Sequence, residues 1–146
     1  MPGIFVGVDG STHSRTALDW AMREAGIRRA PLTVITVHEV AASGWGGSLE
    51  FPVDEVLREE EKKAVQEMVN KAAAQLGDAA PTDTTVQALI GQPATLLIDA
   101  SKDAELLVVG SRGSGGFARL LLGSVSTQVA EHAPVPVTIV KHDRPS

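Results

Sequence analysis

Short runs of apolar residues alternate along the chain with longer segments in which apolar residues recur every three or four positions. The apolar runs predict five buried strands, at Ile4–Val8, Leu32–His38, Thr84–Ile90, residues 105–109 and Val135 to Val140. The helical spacings predict four helices. Ser11 or Ser14 could cap the beginning of the first, and the other three span 53–76, 93–102 and 124–132. Gly26 is predicted to end the first helix. Strict alternation predicts a single-domain α/β fold, with an open parallel sheet between two layers of helices.

The last predicted strand and the segment before the second helix each carry a further signal. Pro136 has no N–H to donate to a neighbouring strand, so we expect the last strand to lie at or near an edge of the sheet. Residues 41–52 predict a loop that is long for a compact domain, with three glycines around Trp45.

A glycine-rich stretch between the fourth predicted strand and the last helix is the strongest chemical signal in the chain. Its five glycines fall within fourteen residues and are interleaved with serines: Gly110, Gly113, Gly115, Gly116 and Gly123. Glycine lets the backbone approach a ligand closely, and a helix beginning at Ser124 would add free N–H groups. Arg112 and Arg119 could add charge-assisted hydrogen bonds. The stretch therefore predicts a phosphate-binding loop.

Three better-known loop patterns are absent or misplaced. The sequence has no Gly-Lys pair, so the lysine of a P-loop is missing. A dinucleotide-type pattern occurs at residues 113–118, but it lies in the fourth crossover instead of the first. No serine has the G-x-S-x-G setting of an α/β-hydrolase nucleophile.

Asp9 and His38 are the other candidate functional residues, because each ends a predicted strand on the side where open α/β sheets bind ligands. Asp9 could contact a nucleotide, cap the first helix or act as a nucleophile. His38 is the only histidine expected on this side and is the candidate for a catalytic base. No pair of histidines has the H-E-x-x-H spacing of a zinc site.

Composition narrows the classes of partner. A net charge of −5 over 146 residues argues against a broad nucleic-acid-binding or anionic-membrane surface. The absence of cysteine removes disulfides, thiol catalysis and thiolate metal ligands. No leader-like segment and no apolar run of membrane-spanning length is evident, so we expect a cytoplasmic protein.

The spacing of Gly110, Gly113, Gly123 and Ser124 resembles the ATP-binding signature G-2x-G-9x-G-[S/T] of the universal stress protein family. Residues 6–11 are similar to that family's first strand and turn, and Gly91-Gln-Pro93 is similar to its G-x-P turn. Residues 104–110 and 134–140 resemble its last two strands, so the resemblance covers essentially the whole chain.

The resemblance implies strand order 3-2-1-4-5, with ATP and Mg²⁺ bound where strands one and four diverge. Asp9 and the backbone of Val37 would face the adenosine, and Gly7 stands where many members of the family have proline. The loop and the helix start would hold ribose and phosphates, with both Ser124 and Ser126 hydroxyls able to donate. The implied nucleotide contacts are Gly7, Val8, Asp9, Val37, Val109, Gly110, Ser111, Arg112, Gly113, Gly123, Ser124, Val125 and Ser126. A homodimer formed through the last strand is also implied.

These observations favour an ATP-binding regulatory protein of the stress response, with slow hydrolysis at most. A genuine ATPase, using Asp9 with Mg²⁺, and a cyclic AMP-binding member of the same family stay open as alternatives.

Overall fold

The computed structural model describes residues 3–9, 11–39, 52–111 and 123–141. Nine regular elements alternate along these ranges, and a 3-10 turn at Gly77–Ala79 follows the second helix. The strands are β1 (Ile4–Val8), β2 (Leu32–His38), β3 (Thr84–Ile90), β4 (Leu106–Gly110) and β5 (Val137–Val140). The helices are α1 (Thr12–Arg28), α2 (Pro52–Leu76), α3 (Pro93–Ala100) and α4 (Ser124–His132).

The five strands form one parallel sheet in the order β3-β2-β1-β4-β5, which confirms the predicted fold. The sheet is in register through its centre, where Val6 lies beside Val34 on one side and Val108 on the other. The chain winds outward from β1 to β3 and then returns to the other side of β1 for β4 and β5. β1 and β4 therefore diverge at their carboxyl ends, and a crevice forms there.

Both faces of the sheet are buried, each under a pair of helices. On one face, α1 and α2 cover a core that includes Leu18, Met22 and Val34. On the other face, α3 and α4 cover a smaller core that includes Ile35 and Leu107. Successive strand residues thus enter opposite cores, which explains why these strands are nearly continuous apolar runs.

Gly26 does not cap α1, so that prediction is wrong. Ser11 caps the beginning of the helix, and its hydroxyl oxygen accepts from Ser14 N at 3.2 Å. The helix continues through Gly26 to Arg28, and Arg29 takes the left-handed cap position with φ of 54°. A Cβ on Gly26 would overlap the carbonyl oxygen of Ala79. Glycine is therefore needed there for close packing against the turn after α2.

Other boundaries differ from expectation by one or two residues. The second helix begins at Pro52, the third ends at Ala100, and β4 covers Leu106–Gly110. β5 begins after Pro136, whose carbonyl oxygen accepts from Leu107 N at 2.9 Å. β5 lies at an edge of the sheet, as its proline predicts. None of the helices within the described ranges is long and apolar enough to cross a membrane.

Candidate functional site

A cavity of about 470 Å³ opens at the carboxyl ends of β1, β2 and β4, where the sheet's strand order reverses. This volume lies within the range of small-molecule sites. Loop ends, residues near the beginnings of α1, α3 and α4, and one residue of α2 surround it. The lining residues are Gly7, Val8, Asp9, Ser14, Ile35, Thr36, Val37, His38, Glu39, Glu61, Pro93, Leu97, Val109, Gly110, Gly123, Ser124, Val125 and Ser126.

Ten of the thirteen candidate nucleotide contacts line this one cavity. They are Gly7, Val8, Asp9, Val37, Val109, Gly110, Gly123, Ser124, Val125 and Ser126. Ser111 follows Gly110 directly, is buried and is not among the lining residues. Arg112 and Gly113 lie outside the described residues, as do most of the glycine loop and most of the predicted 41–52 loop. The contact of these residues with a nucleotide stays a prediction.

The amino end of α4 supplies hydrogen-bond donors at one end of the cavity. Gly123 is the N-cap, with extended backbone angles of −74° and 173°. The first helical hydrogen bond runs from Thr127 N to Gly123 O, at 3.0 Å. The N–H groups of Ser124, Val125 and Ser126 precede that bond, so the helix itself offers them no acceptor. They carry the partial positive charge of the helix end into a lined cavity.

The two ends of the glycine-rich segment are held together beside this helix start. Gly123 N donates to Ser111 O at 2.6 Å, and Ser126 Oγ lies 3.0 Å from the same carbonyl oxygen. Ser111 N in turn donates to Val140 O on β5, at 2.9 Å. We call the Ser111, Gly123 and Ser126 arrangement the neck of the loop. The Ser126 hydroxyl points into the neck, contrary to the expectation that it donates to phosphate, and the Ser124 side chain is exposed.

Asp9 combines a turn-forming role with a position on the cavity. Its Oδ1 accepts from Ser11 N at 2.8 Å, and its own N–H donates to Ser14 Oγ at 3.2 Å. These bonds fix the turn that enters α1, but the N-cap of that helix is Ser11 and not Asp9. Because the residue is exposed and also lines the cavity, a ligand contact is compatible with that role.

His38 connects the end of β2 to two carboxylates of α2. Its Nε2 lies 2.8 Å from Asp54 Oδ1, and its Nδ1 lies 3.3 Å from Glu61 Oε1. The hydrogen bond with Asp54, against the opposing effect of burial, raises the pKa of His38, and Glu61 adds to the rise. Both ring nitrogens face carboxylates, so the ring is engaged in orienting α2, and its use as a catalytic base gains no support.

The charged groups around the cavity are unevenly distributed. Asp9, Glu39 and Glu61 bring carboxylates to the β1 and β2 side, opposite the donors of α4. Neither lysine nor arginine occurs among the lining residues that the structure describes. Within the same ranges, no three His, Asp or Glu side chains are grouped so that they could hold a metal ion.

Sequence reasoning missed several lining residues, of which Glu61 is the most informative. Thr36 lies two residues before the end of β2 and Ser14 lies in the first turn of α1, so both could have been proposed from their places in the predicted elements. Glu61 belongs to a run of charged residues in α2 that predicts only a solvated helix face. No local signal distinguishes it from Glu59 or Glu60.

The model of the Universal stress protein family matches residues 2–141. The chain belongs to this family. A universal stress protein of Mycolicibacterium smegmatis is 37% identical over 142 residues, which cover 97% of this chain and 48% of that protein. The chain thus spans about half the length of that relative.

Two solved structures of the family resemble this chain over nearly all of both molecules. The universal stress protein UspA from Lactobacillus plantarum has a TM-score of 0.76 and 25% identity, covering 95% of this chain and 97% of that one. A universal stress protein in complex with cAMP has a TM-score of 0.66 and 28% identity, covering 96% of each chain. They support the same sheet order and layer arrangement.

Proposed function

We propose that this chain is a single nucleotide-binding domain that holds ATP with Mg²⁺ and acts as a regulatory stress-response protein, with slow hydrolysis at most. The cavity at the β1 and β4 divergence, with the amino end of α4 at one side, is the observation that carries the proposal. The family's glycine signature, which ends at this helix start, gives it further support.

The polarity of the cavity favours one orientation of the ligand. The N–H groups of Ser124 to Ser126 suit the phosphates, together with Gly110, Gly123 and, outside the described residues, Arg112 and Gly113. The adenosine would then lie towards Asp9 and Val37. Gly7 forms part of the floor, where an added Cβ would lie 2.8 Å from Leu97 Cδ1. A side chain at this position would therefore compete with Leu97 for space under the ligand.

Mg²⁺ in this proposal is held chiefly by the triphosphate. The carboxylates along the cavity make an uncompensated triphosphate unfavourable, and a cation bound to the phosphates removes much of that repulsion. Rapid hydrolysis needs a group that positions water and cations that stabilise the transferring phosphoryl group. The described lining supplies neither lysine nor arginine, and His38 is engaged by two carboxylates.

Replacing Ser124 with proline tests the phosphate end of the site. Proline is tolerated at the first position of a helix, and the extended backbone of Gly123 suits the residue before a proline. Ser124→Pro therefore keeps α4 and removes one N–H and one hydroxyl from the cavity. We expect the affinity for Mg-ATP to fall about 10- to 100-fold, the effect of one lost hydrogen bond to a charged group.

Two comparisons make that experiment specific. Ser124→Ala removes only the hydroxyl, so its loss of affinity in calorimetry should be smaller than that of the proline variant. Adenosine lacks phosphate, and its affinity should be the same for all three proteins. The proposal is refuted if the wild type binds neither ATP nor any other adenine nucleotide at about 1 mM, the weak end of measurable binding. An equal loss for adenosine would refute the assignment of the phosphates to α4.

Cyclic AMP is the second candidate, because the 28% identical structural relative is a complex with cAMP. A cyclic nucleotide carries one phosphate, which the N–H groups of a single helix start can serve. Competition calorimetry between Mg-ATP and cyclic AMP distinguishes the two. Displacement of bound cyclic AMP only at a large excess of ATP would make the cyclic nucleotide the primary ligand.

We also propose a cytoplasmic homodimer formed through β5. Among the strands that the structure describes, β5 has a partner on one side only. Such an edge can pair with the same strand of a second copy. Sedimentation or light scattering tests this directly, and a monomer at about 100 μM, a concentration well above the Kd of a stable dimer, would refute it.

A further inference from the structure

His38, which lines the cavity, lies between two carboxylates of α2. Its Nε2 is 2.8 Å from Asp54 Oδ1, and its Nδ1 is 3.3 Å from Glu61 Oε1. A neutral imidazole carries one N–H, so it can donate to only one of these carboxylates and turns a lone pair towards the other. The protonated ring has two N–H groups and satisfies both carboxylates. We call these three side chains the His38 cluster, and its geometry favours the protonated ring.

The proton on the ring decides how much negative charge the His38 cluster brings to the cavity. The two carboxylates carry two negative charges, and the protonated ring cancels one of them. Arg58 lies one helical turn after Asp54, but its guanidinium is paired with Glu55 at 2.8 Å and with Glu59 at 3.2 Å. Loss of the proton therefore leaves both carboxylates of the cluster uncompensated by the ring.

The other elements at this edge of the sheet add carboxylates and one further histidine. Asp9 follows β1 and Glu39 follows β2, and both line the cavity. β3 pairs with the end of β2 through Ile90, which does not titrate. His13, in the first turn of α1, is the other histidine near the carboxyl ends of the strands that the structure describes. A proton on His38 thus opposes the carboxylates that surround this end of the cavity.

From this geometry we propose that His38 makes nucleotide binding depend on pH, because its protonated ring favours an anionic nucleotide and its deprotonation weakens binding. The proposal rests on the nucleotide-binding function above and adds a means of regulating it. The hydrogen bond with Asp54, against the opposing effect of burial, raises the pKa of His38, and Glu61 adds to the rise. The change in affinity therefore falls above pH of about 6.5, where an ordinary histidine titrates. A fall in pH at a constant nucleotide concentration would increase the occupied fraction.

The separation between the His38 cluster and the phosphates sets the size of the effect. β2 and β4 are separated by β1, so the end of β2 lies two strand spacings, about 10 Å, from the end of β4. α4, which would hold the phosphates, begins beyond β4. Across this distance in a partly solvated cavity, one unit of charge changes the affinity for a divalent anion about three- to tenfold at low salt. In about 1 M salt the effect should almost disappear.

The test is calorimetric titration with Mg-ATP at about pH 6 and about pH 9, below and above the range in which a histidine with a raised pKa loses its proton. The wild type is expected to bind about three- to tenfold more tightly at the lower pH in low-salt buffer. His38→Gln keeps a polar side chain that does not titrate, so its affinity should be the same at both pH values. His13→Gln is the matched control, because it removes the other histidine at this edge, and it should keep the wild-type ratio.

An NMR titration of the wild-type His38 ring gives a second readout that does not depend on the folding of a variant. If protonation strengthens nucleotide binding, bound Mg-ATP must in turn raise the pKa of His38. The proton linkage is wrong, while the proposed function stands, if wild-type affinity is equal at both pH values, if His38→Gln keeps the wild-type ratio, or if Mg-ATP leaves that pKa unchanged. Loss of the ratio in His13→Gln alone would assign the titration to His13 and likewise overturn the proposal. A wild type that binds no nucleotide at either pH would refute the proposed function itself.

Discussion

The neck of the glycine loop offers a perturbation whose effects on stability and on binding can be separated. Ser126 is 3% exposed, and its hydroxyl lies 3.0 Å from both Ser111 O and Gly123 O. Ser126→Ala removes one buried donor. Neither carbonyl is left without a donor, because Ser111 O keeps Gly123 N and Gly123 O keeps Thr127 N. The cost should therefore be that of one ordinary hydrogen bond, about 1 kcal/mol, and a melting temperature lower by about 3 °C.

Ser101→Ala is a control with the same chemistry at a different place. Ser101 is fully buried and its hydroxyl donates to Leu97 O at 2.6 Å, at the carboxyl end of α3. α3 lines the cavity through Pro93 and Leu97, but Leu97 O also accepts from Ser101 N at 3.1 Å, so loss of the hydroxyl should leave the helix in place. Its loss should lower the melting temperature by a similar amount without disturbing the neck.

Binding should distinguish the two variants. In the wild type, the neck already holds the first turn of α4 against Ser111 before a ligand arrives. If Ser126→Ala weakens this closure by about 1 kcal/mol, binding must restore it, and the affinity for Mg-ATP falls by up to about fivefold. Ser101→Ala should change it little. Equal losses of affinity in both variants would refute the reasoning. So would a Ser126→Ala variant that is destabilised by about 1 kcal/mol but binds Mg-ATP as tightly as the wild type.

Two further variants test other parts of the fold. Asp54 and Glu61 raise the pKa of His38 in the folded protein, so the protonated ring stabilises the fold. This stabilisation is fully present below the ring's pKa in the unfolded chain, about 6.5, and is lost as pH rises through its pKa in the folded protein. His38→Gln should therefore lower the unfolding free energy by about 1 kcal/mol near pH 6 and by less near pH 9, in urea titrations; equal losses would contradict this. Gly26→Ala should destabilise the protein by about 1–2 kcal/mol, because a Cβ there overlaps Ala79 O and the cost of this overlap exceeds the gain in helix propensity. A neutral or stabilising result in thermal unfolding would show that the turn after α2 moves to make room for the Cβ.

The order of elements could be predicted from the sequence because strands buried on both faces of a parallel sheet are nearly continuous apolar runs. β1, β2 and β3 have the bounds that their apolar runs predict, and α4 runs from Ser124 to His132 as its pattern indicates. The ligand side of the sheet followed from the same pattern, since the carboxyl ends of parallel strands share one edge. Asp9, His38 and Gly110 could therefore be predicted to share that edge, and all three line the cavity.

Other features depend on which surfaces meet, and a local pattern does not carry that information. Gly26 has the sequence context of a helix cap, yet it lies inside α1 because the turn after α2 packs against it. Ser126 has the context of a phosphate ligand, yet its hydroxyl closes the neck on Ser111, fifteen residues earlier.

Residue spacing alone predicts the element order, the sheet edge at which the cavity opens and the donors at the amino end of α4. Each of these follows from residue spacing within one segment, because the backbone geometry of a helix or strand fixes which side chains share a face. Packing in three dimensions brings Glu61 and Asp54 of α2 to His38, 23 and 16 residues away, and makes Glu61 a lining residue of the cavity. The physical reason is that a charged residue on a helix has the same local pattern whether its face meets solvent or a strand end, and packing alone distinguishes the two.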